Sequence, residues 1–393
     1  MPGILVTHPG RQHSHQAALA LQKAGLLAGY WAGAPSLEEH GRLVPRALWR
    51  RLIAYAPVPL DPARVRWAPW VPALRRLGDR LSAGAAREAD FAVCRLFDRW
   101  VARRLPPVSA VIACEISALS TFRAARVRGI TTLLDAPSIH WAAQDRLHGT
   151  LDAPGLHRRI TRVKDEEIAR ADHILTVSEL ARQTYLEAGV PTEKVHAVPL
   201  GADLSLFRPD GTEEAPRNGF VFLFAGASIH RKGFDLLLDA FARVAAAVPD
   251  ARLRVVGPRG DSAHLLERYA ALPIEAVGPT DQRGLAAEFR RADCLVLPSR
   301  NDSYAMVVTE GLAAGLPAIV SEMVGAKDLI REGKNGWIVP AGDAARLAER
   351  MLACARGRDA VRTMREECRR SAEAATWEAY HERFAELIQR IAA

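Results

Sequence analysis

Short apolar runs alternate with longer amphipathic segments along most of the chain. In the first half, runs at residues 3–8, 108–115, 130–136 and 172–178 predict strands, and a helical pattern covers residues 15–24. These runs are apolar at nearly every position, which is typical of parallel strands that are buried on both faces. Strands that alternate with helices predict right-handed βαβ units and a parallel sheet.

The second half of the chain shows the same alternation of apolar runs and amphipathic segments. Helices are predicted over residues 233–248 and 281–291, between five runs that we interpret as buried parallel strands. These runs are FVFLFAG, ARLRVVG, IEAVG, DCLVLPS and PAIVSE. A short echo, RADHILTVS at 170–178 and RADCLVLPS at 291–299, is weak support for two similar halves. In doubly wound sheets ligands bind beyond the carboxyl ends of the strands, so we expect function there.

The length of 393 residues favours two domains over one. The segment 198–219 is rich in Pro, Gly and acidic residues, which is typical of a boundary. We therefore predict an N-terminal domain over 1–203 and a second domain over 204–375. The amphipathic segment that closes the chain, 376–393, is predicted to form a helix that crosses back toward the first domain.

Composition is that of an ordinary globular protein, with 49% hydrophobic and 25% charged residues. No run of about 18 apolar residues is present, so no membrane-spanning helix is expected. The first apolar run is far too short for a signal peptide. The five cysteines form no CxxC pair, and a reduced, cytosolic location is the simplest expectation.

The formal net charge of +8 lies entirely in the first half. Residues 1–207 hold 27 Lys and Arg against 19 Asp and Glu, whereas residues 208–393 hold 26 of each. Residues 42–104 carry 14 Arg against 5 acids and include Trp49, Trp67, Trp70 and Trp100. Arg with Trp suits an anionic membrane surface, although a solvated basic face is the plainer alternative. No nucleic-acid partner is expected, since no such motif accompanies the charge.

Two acids, Asp302 and Glu310, stand eight positions apart in RNDSYAMVVTEGLAAGLP. They could be an acid and a base for hydrolysis, a clamp on a bound sugar or ribose, or a helix cap beside an unrelated charge. A helix over 303–314, capped by Asp302 or Ser303, would place Glu310 about 10 Å along the axis. Glycosidase carboxylates stand roughly 5 to 9.5 Å apart. The spacing therefore favours the clamp.

A second group lies in FAGASIHRKGFDLLLDAF, residues 224–241. A strand, a glycine turn, the cations Arg231 and Lys232, and a helix follow one another. Cations at this place suit a diphosphate leaving group, because they neutralise charge as it develops. The alternative is a solvated pair of cations at the start of a helix.

These stretches together resemble glycosyltransferase family 4, the retaining nucleotide-sugar transferases of the GT-B fold. The resemblance rests on the two groups above, on ADHILTVSELARQTYLEAGVPTEKVHAVPLGADLSLFRP, and on HPGRQHSHQAALAL near the N-terminus. It spans nearly the whole chain, is strongest from 170 to 342 and is weak from 35 to 107. It implies an α/β fold of two Rossmann-like, doubly wound parallel-sheet domains that face each other across a cleft.

The resemblance also implies roles for residues of the second domain. Glu310 matches the acid that binds the ribose, and Asp302 stands where the family usually has Glu, near the donor sugar. Lys232 matches the diphosphate Lys, and Arg231 could replace the family's usual Arg, which is Ala227 here. The remaining donor-binding positions are the glycine of the turn and the backbone that approaches sugar and phosphate: Gly226, Ser303, Tyr304 and Ala305.

In the first domain, the resemblance implies that Gly10 and His15 belong to a loop whose amides approach the donor phosphates. His140, in LLDAPSIHWA, is the expected histidine near the reaction centre, and His13 is the alternative candidate. The family is generally metal-independent, so we expect no cofactor, with the nucleotide sugar as a substrate. The expected catalytic residues are thus His140, Asp302, Arg231 and Lys232.

The implied reaction moves a hexose-type sugar from a nucleotide-diphosphate sugar to a hydroxyl of a glycan, glycolipid or small molecule. Departing phosphate is the implied proton acceptor, and the enzyme would be cytoplasmic, with a possible peripheral position on the membrane. The alternative is a catalytically impaired sugar-nucleotide-binding or membrane-associated scaffold. A nicotinamide-dependent enzyme is disfavoured, because no G-x-G-x-x-G follows an early strand.

Overall fold

The computed structural model describes residues 3–34, 58–78, 82–150, 153–209 and 219–392. Trp49 and most of the first part of the basic region therefore lie outside the described residues, as does the middle of the predicted boundary segment.

The chain divides into two compact units. The first unit comprises Met1–Val177, Ala181–Val198 and Tyr380–Ala393. The second unit comprises Ser178–Leu180 and Pro199–Ala379.

The first unit is built on a parallel sheet of seven strands within the described residues. They are β1 (Ile4–His8), β2 (Leu27–Ala32), β3 (Val65–Trp67), β4 (Ala110–Cys114), β5 (Thr131–Ala136), β6 (His173–Thr176) and β7 (Val195–Ala197). The strand order is β3-β2-β1-β4-β5-β6-β7. The order reverses between β1 and β4, which is the topological switch point of a doubly wound sheet.

Helices of the first unit connect these strands. They are α1 (Ser14–Lys23), α2 (Trp70–Gly78), α3 (Ala83–Ala102), α4 (Leu119–Val127), α5 (Trp141–His148), α6 (Pro154–Arg170) and α7 (Glu179–Glu187, whose first two residues group with the second unit). Trp100 packs against Trp31, with ring centroids 5.4 Å apart, and against Phe97 at 5.7 Å. The Trp67 indole N–H donates to the carbonyl of Gly33 (3.2 Å). These two tryptophans of the basic region therefore serve the packing of this unit.

The second unit repeats the design with a parallel sheet of six strands in the described part of the chain. They are β8 (Phe220–Ala225), β9 (Ala251–Val256), β10 (Ile274–Gly278), β11 (Cys294–Leu297), β12 (Ala318–Ser321) and β13 (Gly336–Val339). The order is β10-β9-β8-β11-β12-β13, so the reversal falls between β8 and β11. The apolar runs predicted as strands in both halves are confirmed.

Its helices are α8 (Phe234–Ala247), α9 (Leu265–Arg268), α10 (Gln282–Arg291), α11 (Met306–Ala313), α12 (Ala344–Arg356), α13 (Arg358–Arg362) and α14 (Arg365–Glu373). The last helix, α15 (Trp377–Ile391), begins in the second unit and continues in the first from Tyr380. Four short 3₁₀ turns complete the described elements: Pro62–Arg64, Thr192–Lys194, His230–Lys232 and Gly325–Leu329.

The strand β10 differs from its prediction as a buried strand. It lies at the edge of the sheet beside β9 only, and its middle residues Glu275, Ala276 and Val277 are exposed. An edge strand has one free flank, so an apolar residue such as Val277 there is not enclosed. The core lies instead under β8, where Phe220, Phe222 and Phe224 are fully buried.

Candidate active site

Two loops of the second unit leave the carboxyl edge of its sheet side by side. One holds residues 226–233, between β8 and α8, and the other holds residues 298–305, between β11 and α11. The strands β8 and β11 flank the reversal in strand order, which is where doubly wound sheets form the crevice that holds a ligand. Ligands of doubly wound sheets bind at such a point.

Lys232 and Asp302 join these two loops by an ion pair between Nζ and Oδ2. Their side chains are only 15% and 12% exposed, so the pair is shielded from bulk water. Beside it, Nη1 of Arg231 donates to the carbonyl of Asn301 (2.8 Å). The structure thus brings together the two cations and the acid that the sequence singled out separately.

Arg300 fixes the geometry of both loops. Its guanidinium donates to both oxygens of Asp235 (2.7 and 2.8 Å), and its backbone N–H donates to the carbonyl of Arg231 (2.9 Å). Burial tends to raise the pKa of Asp235, but the hydrogen bonds and charge of Arg300 hold it below the ordinary value. Asp235 therefore stays ionised and anchors Arg300 at the base of α8.

The segment from Asp302 to Tyr304 is not helical, contrary to the predicted helix over 303–314. Its backbone instead lies against residues 323–326: the N–H of Asp302 donates to Met323 O (2.9 Å), and the N–H of Ala326 donates to Tyr304 O (2.7 Å). These bonds keep the segment out of the helix. The helix α11 begins only at Met306, and neither Asp302 nor Ser303 caps it.

The N-cap residue of α11 is Ala305, which has left-handed backbone angles (φ 69°). Such angles are uncommon for a residue other than glycine and concentrate at functional sites. Nearby, the Tyr304 hydroxyl donates to the carbonyl of Leu200, and the Ser303 carbonyl accepts from the hydroxyl of Ser178. A Cβ at Gly325 would collide with that same carbonyl, so only glycine allows this close approach.

Glu310 lies in α11, four residues after its first residue, and its side chain is buried with 7% of the residue exposed. Within the described residues its carboxyl has neither a hydrogen bond nor an ion pair. Burial raises the pKa of Glu310 to about 7. A buried carboxyl without a partner carries a free-energy cost, which a ligand hydroxyl can remove by hydrogen bonding.

Gly226 lies beside Lys232: a Cβ added to Gly226 would stand 3.9 Å from Cε of Lys232. Its φ of 152° is outside the range that other residues readily adopt. The next residue, Ala227, carries no charge. The cationic side chains of this loop that face the second loop are therefore Arg231 and Lys232.

The first unit places its predicted residues around the loop that follows β1. The N–H of Gly10 donates to Nδ1 of His8 (2.8 Å), and His15 lies in the first turn of α1. Burial, and secondarily the charge of Arg11, lowers the pKa of His15 to about 3. His15 is therefore neutral at physiological pH, and Gly10 is held in a turn by the side chain of His8 at the end of β1.

The sequence reasoning missed Asp135, which pairs with His13 at the carboxyl ends of β5 and β1. Nε2 of His13 donates to Oδ1 of Asp135 (3.1 Å), and both side chains are 10% exposed. Burial tends to lower the pKa of His13, but attraction to Asp135 outweighs it and raises the pKa. The available signal was an acid that ends an apolar strand in TTLLDA.

His140 is the N-cap of α5, and its Nδ1 accepts the N–H of Ala142 (3.2 Å). This bond assigns the proton of the neutral ring to Nε2. Burial lowers the pKa of His140, so the neutral ring predominates at pH 7. His140 can therefore donate a hydrogen bond through Nε2 but is not a ready proton donor.

Among the described residues, no group of three or more His, Cys, Asp or Glu side chains is arranged to hold a metal ion. No helix in the same part of the chain is both long and apolar enough to cross a membrane.

Two doubly wound sheets, one of which carries a cation–carboxylate pair at its switch point, define the GT-B fold class. Solved structures agree. A sucrose-phosphate synthase from Thermosynechococcus elongatus superposes with a TM-score of 0.74 at 19% identity, covering 100% of this chain and 99% of that one. The Anabaena protein HepE in complex with UDP-glucose gives 0.67 at 15%, covering 99% and 100%. At this identity the likeness establishes the fold.

Residues 219–356 match the family model described as Glycosyl transferases group 1, which confirms the resemblance predicted from the sequence. A phosphatidyl-myo-inositol mannosyltransferase of Mycobacterium leprae is 35% identical over 187 residues, 46% of this chain and 49% of that protein. A D-inositol 3-phosphate glycosyltransferase of Catenulispora acidiphila is 32% identical over 202 residues, 46% and 48%. The matched region thus spans about half the length of these relatives.

Proposed function

We propose that the protein is a retaining glycosyltransferase. It moves a hexose-type sugar from a nucleotide-diphosphate sugar to a hydroxyl group of a glycan, glycolipid or small molecule. The family of residues 219–356 and the names of the relatives support sugar transfer in general. The HepE complex with UDP-glucose supports a nucleotide-sugar donor for a protein of this fold.

The main support for the proposal is Glu310, a buried residue whose carboxyl has no hydrogen-bond or ion-pair partner among the described residues. It stands on the helix that follows the Asp302 loop, at the switch point of the second unit. Two adjacent ribose hydroxyls would each donate to one carboxylate oxygen. These hydrogen bonds would remove the free-energy cost of burying the Glu310 carboxyl without a partner, and they would make it a specific contact to the donor.

The donor's diphosphate would lie against Lys232 and Arg231, at the other side of the same crevice. Fixed cations stabilise charge that develops on a leaving group, and they need no reorganisation during the reaction. In this proposal the two side chains do this work and no metal cofactor is required. Asp302, now paired with Lys232, would accept hydrogen bonds from the donor sugar.

In the first unit we assign His140 to the reaction centre and the Gly10 loop with His15 to the donor phosphates. The neutral His140 ring would offer Nε2–H to an oxygen of the reacting sugar. The acceptor proton would leave with the departing phosphate. The names of the relatives point to phosphatidyl-myo-inositol or D-inositol 3-phosphate as acceptors for those proteins. We propose the wider class of hydroxyl acceptors here.

A screen of nucleotide sugars tests the proposal. UDP-, GDP- and ADP-linked hexoses are added to the protein, and both its melting temperature and the release of nucleoside diphosphate are measured. One donor should stabilise the wild type and turn over, and Glu310→Ala and Lys232→Ala should lower turnover by at least about 100-fold. The anomeric proton coupling of the product, measured by NMR, should show retention.

The exposed residues Glu349 and Lys334 of the second unit provide matched controls. Glu349→Ala and Lys334→Ala change the same charges away from the crevice and should leave turnover unchanged. A nonenzymatic scaffold would bind the nucleotide sugar without releasing product, and no donor response at all would contradict both functions.

A further inference from the structure

A second buried ion pair lies at the carboxyl edge of the first unit. Glu115 directly follows β4, next to the switch point, and its Oε2 lies 3.0 Å from Nζ of Lys164 in α6. The side chains are 9% and 10% exposed. Buried ion pairs are costly to form and are weak contributors to stability, so such a pair at a ligand-binding edge calls for another role.

The loop that carries Glu115 is held rigidly. The next residue, Ile116, has left-handed backbone angles (φ 69°), which is rare for a β-branched residue. Its N–H donates to Glu167 (2.7 Å), and Glu167 also accepts from the N–H groups of Ala118 and Leu119 (2.9 and 3.0 Å). This strained turn is held by the fully buried Glu167, so the position of the Glu115 backbone is fixed.

The side chains of Glu115 and Lys164 can form more hydrogen bonds than they make with each other. Within the described residues, Lys164 has Glu115 as its ion-pair partner and no second acceptor, and the Glu115 carboxylate has no donor besides Lys164. An ammonium group carries three donors and a carboxylate accepts about four hydrogen bonds. Most of this capacity is therefore available to a ligand.

The surroundings are those of a carbohydrate site. The charges of Asp165, Lys164 and Glu115 act on the pKa of His140, so these groups lie in the neighbourhood of its ring. The half-buried indole of Trp141 lies 5.5 Å from the His140 ring, and its N–H donates to Asp165 (2.7 Å). A fixed aromatic ring beside a few placed polar groups is typical of pockets for small polar molecules.

We propose that Glu115 and Lys164 form a subsite that binds two adjacent hydroxyl groups of an uncharged polyol, the acceptor in the reaction. The role of the polyol as acceptor rests on the proposed function, whereas the binding of a polyol by Glu115 and Lys164 does not. Each hydroxyl donates a hydrogen bond to the Glu115 carboxylate and accepts one from the Lys164 ammonium group. A phosphorylated ring is disfavoured at this point, because Glu115 and nearby Asp165 offset the single cation.

Saturation-transfer NMR tests the subsite with methyl α-D-glucopyranoside and myo-inositol as probes. Both should bind the wild type, and Glu115→Gln and Lys164→Met should each weaken binding at least about tenfold. Glu166→Gln is the matched control on α6, since Glu166 is paired with Arg123 at the surface, and it should bind like the wild type. Inorganic phosphate should not displace either probe.

The melting temperature and its shift with nucleotide sugar report folding independently of the subsite. If Lys164→Met does not fold, Lys164→Arg keeps a cation but changes its shape, and it should lose polyol binding while it keeps the nucleotide response. Equal polyol binding by Glu115→Gln and Glu166→Gln, or displacement by phosphate, overturns the subsite. Glu115-dependent polyol binding without any nucleotide response would preserve the subsite and contradict the proposed function.

Discussion

Lys232 and Asp302 come from two loops 70 positions apart in sequence and pair across the point where the strand order of the second unit reverses. The pair is shielded, with exposures of 15% and 12%. Removing one partner of a shielded pair leaves the other charge without compensation. The two residues are therefore expected to respond differently to substitution, even though they touch.

Lys232→Ala should abolish nucleoside diphosphate binding, with a loss of at least about 100-fold, because the fixed cation that meets the diphosphate is gone. Asp302→Asn should leave diphosphate binding nearly intact, since Lys232 keeps its charge, and should lower turnover. Calorimetric titration with the diphosphate of the accepted donor, next to turnover assays, separates the two effects. An equal loss of diphosphate affinity in both variants would contradict these separate roles.

Glu310→Gln should stabilise the unliganded protein at high pH. The pKa of Glu310 is raised from 4.5 to about 7, so ionisation favours the unfolded chain as the pH rises through this interval. The native acid thus costs on the order of 3 kcal/mol above pH 7 and almost nothing below pH 4.5. Urea unfolding of both proteins at pH 5 and pH 8 should show a much larger stability gain for Glu310→Gln at pH 8 than at pH 5. An identical difference at both pH values would argue against the raised pKa.

Asp135→Asn should destabilise the first unit more at pH 6 than at pH 9. The raised pKa of His13 means that the pair stabilises the fold while His13 is protonated, and this contribution is lost as the pH rises through that pKa. The lowered pKa of Asp135 keeps the carboxylate ionised throughout this range. We expect a loss of about 2 kcal/mol at pH 6, typical of a charged hydrogen bond, and a smaller loss at pH 9. Melting curves of both proteins at the two pH values measure it.

Glu167→Ala should destabilise the protein by about 3 kcal/mol or more, because it leaves the N–H groups of Ile116, Ala118 and Leu119 without an acceptor in a buried place. The neighbouring Glu166→Ala removes the surface ion pairs with Arg123 and Arg170 and should cost less than about 1 kcal/mol. Urea unfolding at neutral pH compares them. Similar losses would mean that Glu167 does not hold this loop.

Binding of the protein to an anionic membrane surface is best tested on α2. In this helix Leu74 and Leu77 are 36% and 59% exposed beside the cation Arg76. We expect flotation with vesicles that contain phosphatidylglycerol, and less flotation at high salt, where charge attraction is screened. Leu77→Ser should reduce it, whereas Val127→Ser, at another exposed apolar position, should not. Flotation that is independent of salt and of Leu77 would contradict this proposal.

The sequence by itself determined the alternation of strands and helices, because each buried parallel strand must be apolar along its length wherever it lies. It also located Lys232 and Asp302 in loops after strands, where ligands bind. It did not find β2, β3, β7 or β13, of which β3 and β7 have three residues each. Three residues carry too little pattern to distinguish a strand from a loop.

Tertiary structure alone decided how the site residues meet. The segment 303–305 has the composition of a helix, yet backbone bonds between its neighbourhood and residues 323–326 keep it out of the helix, so α11 starts at Met306. Local propensity is worth a few tenths of a kcal/mol per residue, and several hydrogen bonds from a distant segment outweigh it. The pairing of Asp135 with His13, and of Glu115 with Lys164, likewise depends on strand order, which brings together residues that the sequence separates by 122 and 49 positions.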